Sequence, residues 1–199
     1  IEQARSDGRL PPHPWPVRLI RNSVFGIMFK YLALFRLFSR LMWLYQRTGL
    51  QWLARNLGIL KLIRMDETEA LLPRISDRFI VPKGQKFAAE SQTKHHVALL
   101  SGCIMSTAFG EVHEATIRVL QKNNCEVIIP PSQGCCGALH VHGGDLDGGR
   151  ELARRNIEAF EGMGVDAIIV NAAGCGSMLK EYGHLLHDDP AWSERAAAF

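Results

Sequence analysis

The pentapeptide Gln133-Gly134-Cys135-Cys136-Gly137 places two adjacent cysteines between glycines, and a further cysteine stands on either side at Cys103 and Cys175. A disulfide between neighbours requires a strained eight-membered ring, far from ordinary bridge geometry. Two thiols aimed at one external object is the easier arrangement. Glycines at 134 and 137 let the backbone take positive φ and approach that object closely. The object expected from such chemistry is a metal centre.

The spacing around the pair suggests the fold. Residues 104–134 separate Cys103 from the pair, and residues 137–174 separate the pair from Cys175. Each interval has room for one helix and one strand, the length of a β-α-β crossover. Val97-Ala98-Leu99-Leu100, Val127-Ile128-Ile129 and Ala167-Ile168-Ile169-Val170 are short apolar runs of the kind that form buried strands. Amphipathic helices are expected over Glu111–Lys122, Gly149–Met163 and Met178–Leu186. The fold class is therefore α/β, a parallel sheet with flanking helices, preceded by a basic α-helical segment. Ligands of such sheets sit beyond the carboxyl ends of the strands. Cys103 follows the first strand, Cys135 and Cys136 the second and Cys175 the third, so all four gather on one edge.

Helix N-termini point at that edge too, and their positive ends favour thiolate over thiol. Thiolates are what a soft metal centre requires. Cys103, Cys135, Cys136 and Cys175 are the candidate metal- and cofactor-binding residues. Cys125 begins a strand at its opposite end and is expected to pack as a small hydrophobe. His140 and His142, close after the pair, are expected to be polar residues of a glycine-rich loop rather than ligands.

The 199 residues suffice for one good-sized domain with an appendage. All five cysteines lie between Cys103 and Cys175, an odd number that includes a vicinal pair. A secreted disulfide framework is a poor match, and a reducing, cytoplasmic setting is expected. Residues 1–16, rich in proline and charge, have the composition of a linker. The chain opens at Ile1 rather than methionine and closes within a helix-like run, so an internal piece of a longer protein is expected.

Residues 17–65 hold nine Lys or Arg and no Asp or Glu. A long helix from Val17 to about Tyr45 would align Arg18, Arg36, Arg40 and Arg47, and a second apolar run follows from Trp52 to Ile63. Two arrangements suit this segment: a helical hairpin packed on the neighbouring domain, or peripheral contact of Val17–Met65 with an anionic membrane face. No uncharged run is long enough to span a bilayer. Nucleic acid is not an expected partner, since no reader motif accompanies the basic run. Residues 66–94 form a polar connection, and 95–199 the cysteine-bearing α/β domain.

Cys103, the triplet Cys135-Cys136-Gly137 and the run Asn171-Ala172-Ala173-Gly174-Cys175-Gly176-Ser177-Met178-Leu179-Lys180-Glu181-Tyr182 resemble the cysteine-rich CCG domain shared with heterodisulfide reductases. The resemblance is strongest to iron–sulfur subunits of glycolate oxidase, and it covers about residues 95–195 strongly and the basic helical segment before them more loosely. It implies an oxidoreductase subunit that carries electrons from FAD on a flavin-containing partner subunit toward a membrane acceptor, at the inner face of the membrane. It further implies a ferredoxin-like domain before this segment and a second CCG domain after it, so that the segment alone is expected to lack activity. The family pattern ends in Cys-x-x-Cys, whereas Met178 stands at the last position here. Four thiolates suit a 4Fe-4S cubane, and a five-cysteine noncubane centre would be one thiolate short. A structural zinc module and a thiol–disulfide redox domain are the competing classes.

Overall fold

The computed structural model describes residues 23–199, with Gly8, Trp15 and Leu19 ahead of them. The expected linker, and the first turns of the helix expected from Val17, fall almost wholly outside the described residues.

The basic segment is not one long helix. A π-helix, Val24–Phe29, is followed by a break at Tyr31 (φ −108°, ψ 89°), and α1 then runs over Leu32–Arg47. Phe29 and Phe35 pack on each other across this break, with ring centroids 5.2 Å apart. Gly49 and Gly58, both at positive φ, cut the second apolar run into α2 (Leu50–Asn56) and α3 (Ile59–Leu62). Helix α4 (Asp66–Ala70) opens with Asp66, Glu67 and Glu69, acids that suit a helix N-terminus.

The sheet has four strands: β1 (Gln85–Phe87), β2 (His95–Leu99), β3 (Cys125–Ile129) and β4 (Ala167–Ile169), in the spatial order β1-β3-β2-β4. Strands β3 and β4 both pair parallel with β2, with Val97 opposite Val127 and Ala167. The expected parallel core is present. Strand β1 is an addition: it comes from the stretch expected to be a connection and pairs antiparallel with β3, Phe87 opposite Val127. Three residues carry little periodicity of their own, and it is the exposed edge of β3 that makes them a strand.

Helices α5 (Ile104–Ala108) and α6 (Gly110–Lys122) connect β2 to β3. After β3 come α7 (Ala138–His142) and α8 (Leu146–Phe160), and after β4 come α9 (Ala173–Lys180), α10 (Tyr182–Leu185) and α11 (Ser193–Ala198). Alternation along the strands produces two cores. Val97, Leu99, Cys125, Val127 and Ile129 pack with Ile117 of α6 on one face. Ala98 and Leu100 meet Leu152, Ala153, Ile157 and Phe160 of α8 on the other, together with Phe29, Leu32 and Phe35 of the basic segment. The apolar positions of α8 recur at helical spacing, and Asp145 caps its start by accepting from Gly148 N–H at 3.1 Å. Burying each such leucine or phenylalanine stabilises the fold by about 1.5–3 kcal/mol.

Two expected helix boundaries move. The helix expected over Gly149–Met163 starts earlier, at the Asp145 cap, and the one expected over Met178–Leu186 divides into α9 and α10. Cys175 consequently lies inside the first turn of α9 rather than in a loop before it.

Candidate metal centre

Each candidate ligand lies just past the carboxyl end of a parallel strand. Cys103 follows β2 and stands immediately before α5; Cys135 and Cys136 follow β3 and precede α7; Cys175 follows β4 at the start of α9. The structure brings all four together. Cys135 Sγ lies 3.4 Å from Cys103 Sγ, and Cys136 contacts both Cys135 and Cys175, so the sulfurs form one chain of contacts. Cys103, Cys135 and Cys136 are buried and Cys175 is half-buried. None of the four is in a disulfide.

The charge in this network is uneven. Hydrogen bonds from the Cys135 and Cys175 thiols, then the N–H of Ala138, hold Cys136 well below the ordinary thiol range. A hydrogen bond from Cys135, helped by the N–H of Ile104, lowers Cys103. Cys135 and Cys175 are pushed up, each by serving as donor to a neighbouring thiolate and then by burial. Along the chain of sulfurs, the thiolate is thus favoured at Cys103 and Cys136 and disfavoured at Cys135 and Cys175. Such a set, soft and thiolate-rich with main-chain N–H groups aimed at sulfur, fits a thiolate-bound iron–sulfur centre. Among the described residues, no three His, Cys, Asp or Glu side chains stand ready as a site for a single metal ion.

The two glycines flanking the pair are not equivalent. Gly137 has φ +87° and caps α7, a conformation that a side chain would strain. Gly134 is not left-handed, contrary to the sequence expectation. A Cβ there would make ordinary van der Waals contact with Arg155 Cδ at 3.4 Å and Leu152 Cδ2 at 3.6 Å, so neither backbone conformation nor lack of room demands glycine at this position.

Buried polar side chains join the three loops. Gln133 Oε1 accepts from the N–H and the hydroxyl of Ser101, at 2.7 and 3.1 Å, while its Nε2 donates to the carbonyls of Leu99 and Pro130. His113, fully buried on α6, has Nε2 2.9 Å from the Ser101 carbonyl and Nδ1 3.0 Å from Asn171 Nδ2. A carbonyl can only accept, so Nε2 carries the proton and Nδ1 accepts from Asn171. Burial pushes His113 below its ordinary value, consistent with a neutral ring. Ser101 therefore links the β2 loop to the other two.

Two more buried residues hold the cysteine pair. Asn156 of α8 accepts from Gly134 N–H at 2.8 Å and donates to the Cys135 carbonyl at 2.9 Å. Tyr182 of α10 accepts from Asn156 at 3.0 Å and donates to the Cys136 carbonyl at 2.8 Å. Cysteine spacing points to neither. A signal exists for Asn156, the one amide in the apolar stripe Leu152, Ala153, Ile157, Phe160.

Other sequence candidates lie elsewhere. Cys125 sits at the far end of β3, in the core on the α6 side, its sulfur 3.6 Å from the Asn123 carbonyl. His140 and His142 belong to the short helix α7 rather than to a loop, and His140 is buried. Met178 is buried in the same core as Cys103, Cys135 and Cys136, one turn beyond Cys175 on α9. A cavity of about 830 Å³, bounded by Val141, Leu146 and Leu185, opens beside Gly174, Ser177 and Met178. Of the four candidate ligands, Cys175 is the most exposed.

A parallel sheet with four cysteines at one edge, two of them adjacent, defines a cysteine-rich domain of the CCG class, and residues 97–180 match the family described as "Cysteine-rich domain". Residues 16–72 match the family described as "Glycolate oxidase iron-sulfur subunit, linker region". The chain thus carries a CCG cysteine-rich domain, preceded by a segment that matches the linker region of glycolate oxidase iron–sulfur subunits. It is 44% identical over 94% of its length to the "Probable glycolate oxidase iron-sulfur subunit" of Bacillus subtilis strain 168, covering 43% of that protein. Half of it (52%) is 36% identical to 26% of the "Glycolate oxidase iron-sulfur subunit" of Escherichia coli K12. The same share is 36% identical to 42% of "Lactate utilization protein A" of an Exiguobacterium strain. The chain thus spans less than half the length of these relatives. No solved structure matches it significantly.

Proposed function

We propose that this chain is the cysteine-rich electron-transfer part of the iron–sulfur subunit of a flavin-dependent 2-hydroxy-acid oxidase, with glycolate as the substrate class of the whole complex. Cys103, Cys135, Cys136 and Cys175 hold an iron–sulfur cluster of the 4Fe-4S type. When bound, such a cluster supplies one-electron transfer between FAD on a partner subunit and an acceptor at the membrane. The chain's own part is to offer paired thiolates, to surround them with N–H donors and to exclude water from all but the Cys175 side. The observation that carries this reading is the convergence of four sulfurs at one sheet edge, with thiolate favoured at Cys103 and Cys136. Anaerobic purification of the full-length subunit with its partners, followed by iron and sulfide analysis and electron paramagnetic resonance, tests it. A brown protein with a reducible signal that requires these cysteines is expected. Stoichiometric zinc, or metal-free thiol activity abolished by alkylation, replaces it with one of the two competing classes.

A second reading concerns the basic segment. Leu34, Leu37, Phe38, Leu41 and Leu44 form an exposed apolar stripe along α1, opposite the buried Leu32 and Phe35. Trp52, Leu62 and Leu71 are 69, 84 and 83% exposed nearby. Among the described residues, no helix is long and apolar enough to cross a membrane. Peripheral contact with a lipid surface at the inner face of the membrane suits such a face. Lys30, Arg47 and Arg55 are paired with Glu151, Asp77 and Glu69, so apolar insertion outweighs charge in this contact. Full-length protein is expected to sediment with anionic vesicles and to be only partly released by salt. Absence of binding leaves the stripe as a packing surface within the subunit.

A further inference from the structure

We infer that Asn156 and Tyr182 are positioning residues of the centre, which hold the peptide groups of the Cys135–Cys136 pair in the orientation that turns their N–H groups toward sulfur. This rests on the proposed function for the identity of the centre. Two side chains from different helices bind the backbone of three successive residues: the N–H of Gly134 and the carbonyls of Cys135 and Cys136. Both are fully buried, and the contact between Asn156 Nδ2 and Tyr182 Oη makes them one unit.

The geometric consequence follows from peptide planarity. In a trans peptide the N–H points opposite to the C=O. With the Cys135 carbonyl fixed on Asn156, the N–H of Cys136 faces away from α8; with the Cys136 carbonyl fixed on Tyr182, the N–H of Gly137 faces away from α10. The N–H of Cys136 is one of the donors that favour its own thiolate. Hydrogen bonds to sulfur stabilise the more negative state of an iron–sulfur centre and raise its reduction potential. The pair therefore sets the potential and the hold on iron without touching metal.

The test compares Tyr182→Phe with Tyr45→Phe in the full-length, cluster-loaded subunit. Tyr45 donates to Glu69 at 3.4 Å on α1, so its variant loses a tyrosine hydrogen bond away from the cysteines. Tyr182→Phe is expected to lower the midpoint potential, alter the paramagnetic resonance signature and speed iron release to a chelator about fivefold, the equivalent of one net hydrogen bond. Tyr45→Phe is expected to leave all three at wild-type values. In metal-free protein, Tyr182→Phe is expected to change the alkylation rate of Cys136 by a similar factor. If wild type holds no iron, the proposed function falls, and the alkylation comparison alone decides the role of Tyr182. Wild-type potential, iron release and alkylation in Tyr182→Phe, whatever its melting temperature, would overturn the inference and leave Asn156 and Tyr182 as core packing.

Discussion

Gln133 and Ser101 join the loops that carry Cys135 and Cys103: one amide oxygen accepts both the N–H and the hydroxyl of the serine, at 2.7 and 3.1 Å. The other end of the same buried amide binds the carbonyls of Leu99 and Pro130. The distance between the ends of β2 and β3 is thus held by a neutral side chain rather than by a ligand. Gln133→Leu would leave four buried polar groups without this partner. A loss of about 3 kcal/mol is expected, measured as a lower urea midpoint at unchanged slope. A loss below about 0.5 kcal/mol would show that the loops hold their places without it.

Cys136→Ser is expected to release iron, because a hard hydroxyl is a poor substitute for the soft thiolate that receives two thiol donors. Cys125→Ser is expected to retain it, since Cys125 lies at the other end of β3 among Val97, Val127 and Ile117. The serine at 125 costs some stability through a buried hydroxyl. Equal iron loss in the two variants contradicts the ligand assignment.

Met178 lies one helical turn after Cys175 and is buried with Cys135 and Cys136. On a helix, side chains at i and i+3 share a face. Met178→Cys therefore places a fifth thiol beside the four, and the smaller side chain costs about 1 kcal/mol of packing. Reconstituted protein is expected to shift from a cubane signature toward that of a noncubane centre. An identical spectrum and iron content would mean that position 178 does not reach the centre.

Glu69 has a side chain only 6% exposed and is bound by Arg55 at 2.9 Å, Gln51 at 2.7 Å and Tyr45 at 3.4 Å. The Arg55 hydrogen bond, then that of Gln51, holds its carboxyl below the ordinary value. A carboxylate with a lowered folded-state pKa contributes stability in full above the unfolded value of about 4.3, and loses it as pH falls through the folded one. Wild type should lose more of its urea midpoint between pH 5 and pH 3 than Glu69→Gln, and the variant should be the less stable at pH 7. Parallel profiles would show that the α2–α4 contact does not depend on this charge.

Much of the architecture was legible because burial leaves a periodic trace. Val97–Leu100 and Val127–Ile129 are apolar without a break since helices cover both their faces, and the parallel pairing of β2, β3 and β4 follows from the intervals between them. Less legible was anything whose partner is distant in the chain. Strand β1 exists because β3 has a free edge, the break at Tyr31 accompanies the packing of Phe29 on Phe35, and the helical start at Ala173 has no capping side chain to announce it.

The candidate site divides in the same way. The cysteines and their flanking glycines are chemical types whose spacing, on a parallel sheet, leads to one edge, so sequence by itself determined which side chains meet there. Which sulfur is donor and which is thiolate depends on contacts of a few ångströms between residues as far apart as Cys103 and Cys135, or Cys136 and Cys175. The same holds for Asn156, Tyr182, Gln133 and His113, whose value lies in backbone groups 12 to 46 residues away in the chain. Hydrogen bonds are short and directional, and a linear pattern carries no direction, so only the tertiary structure decided how the pair of cysteines is held and how its charge is shared.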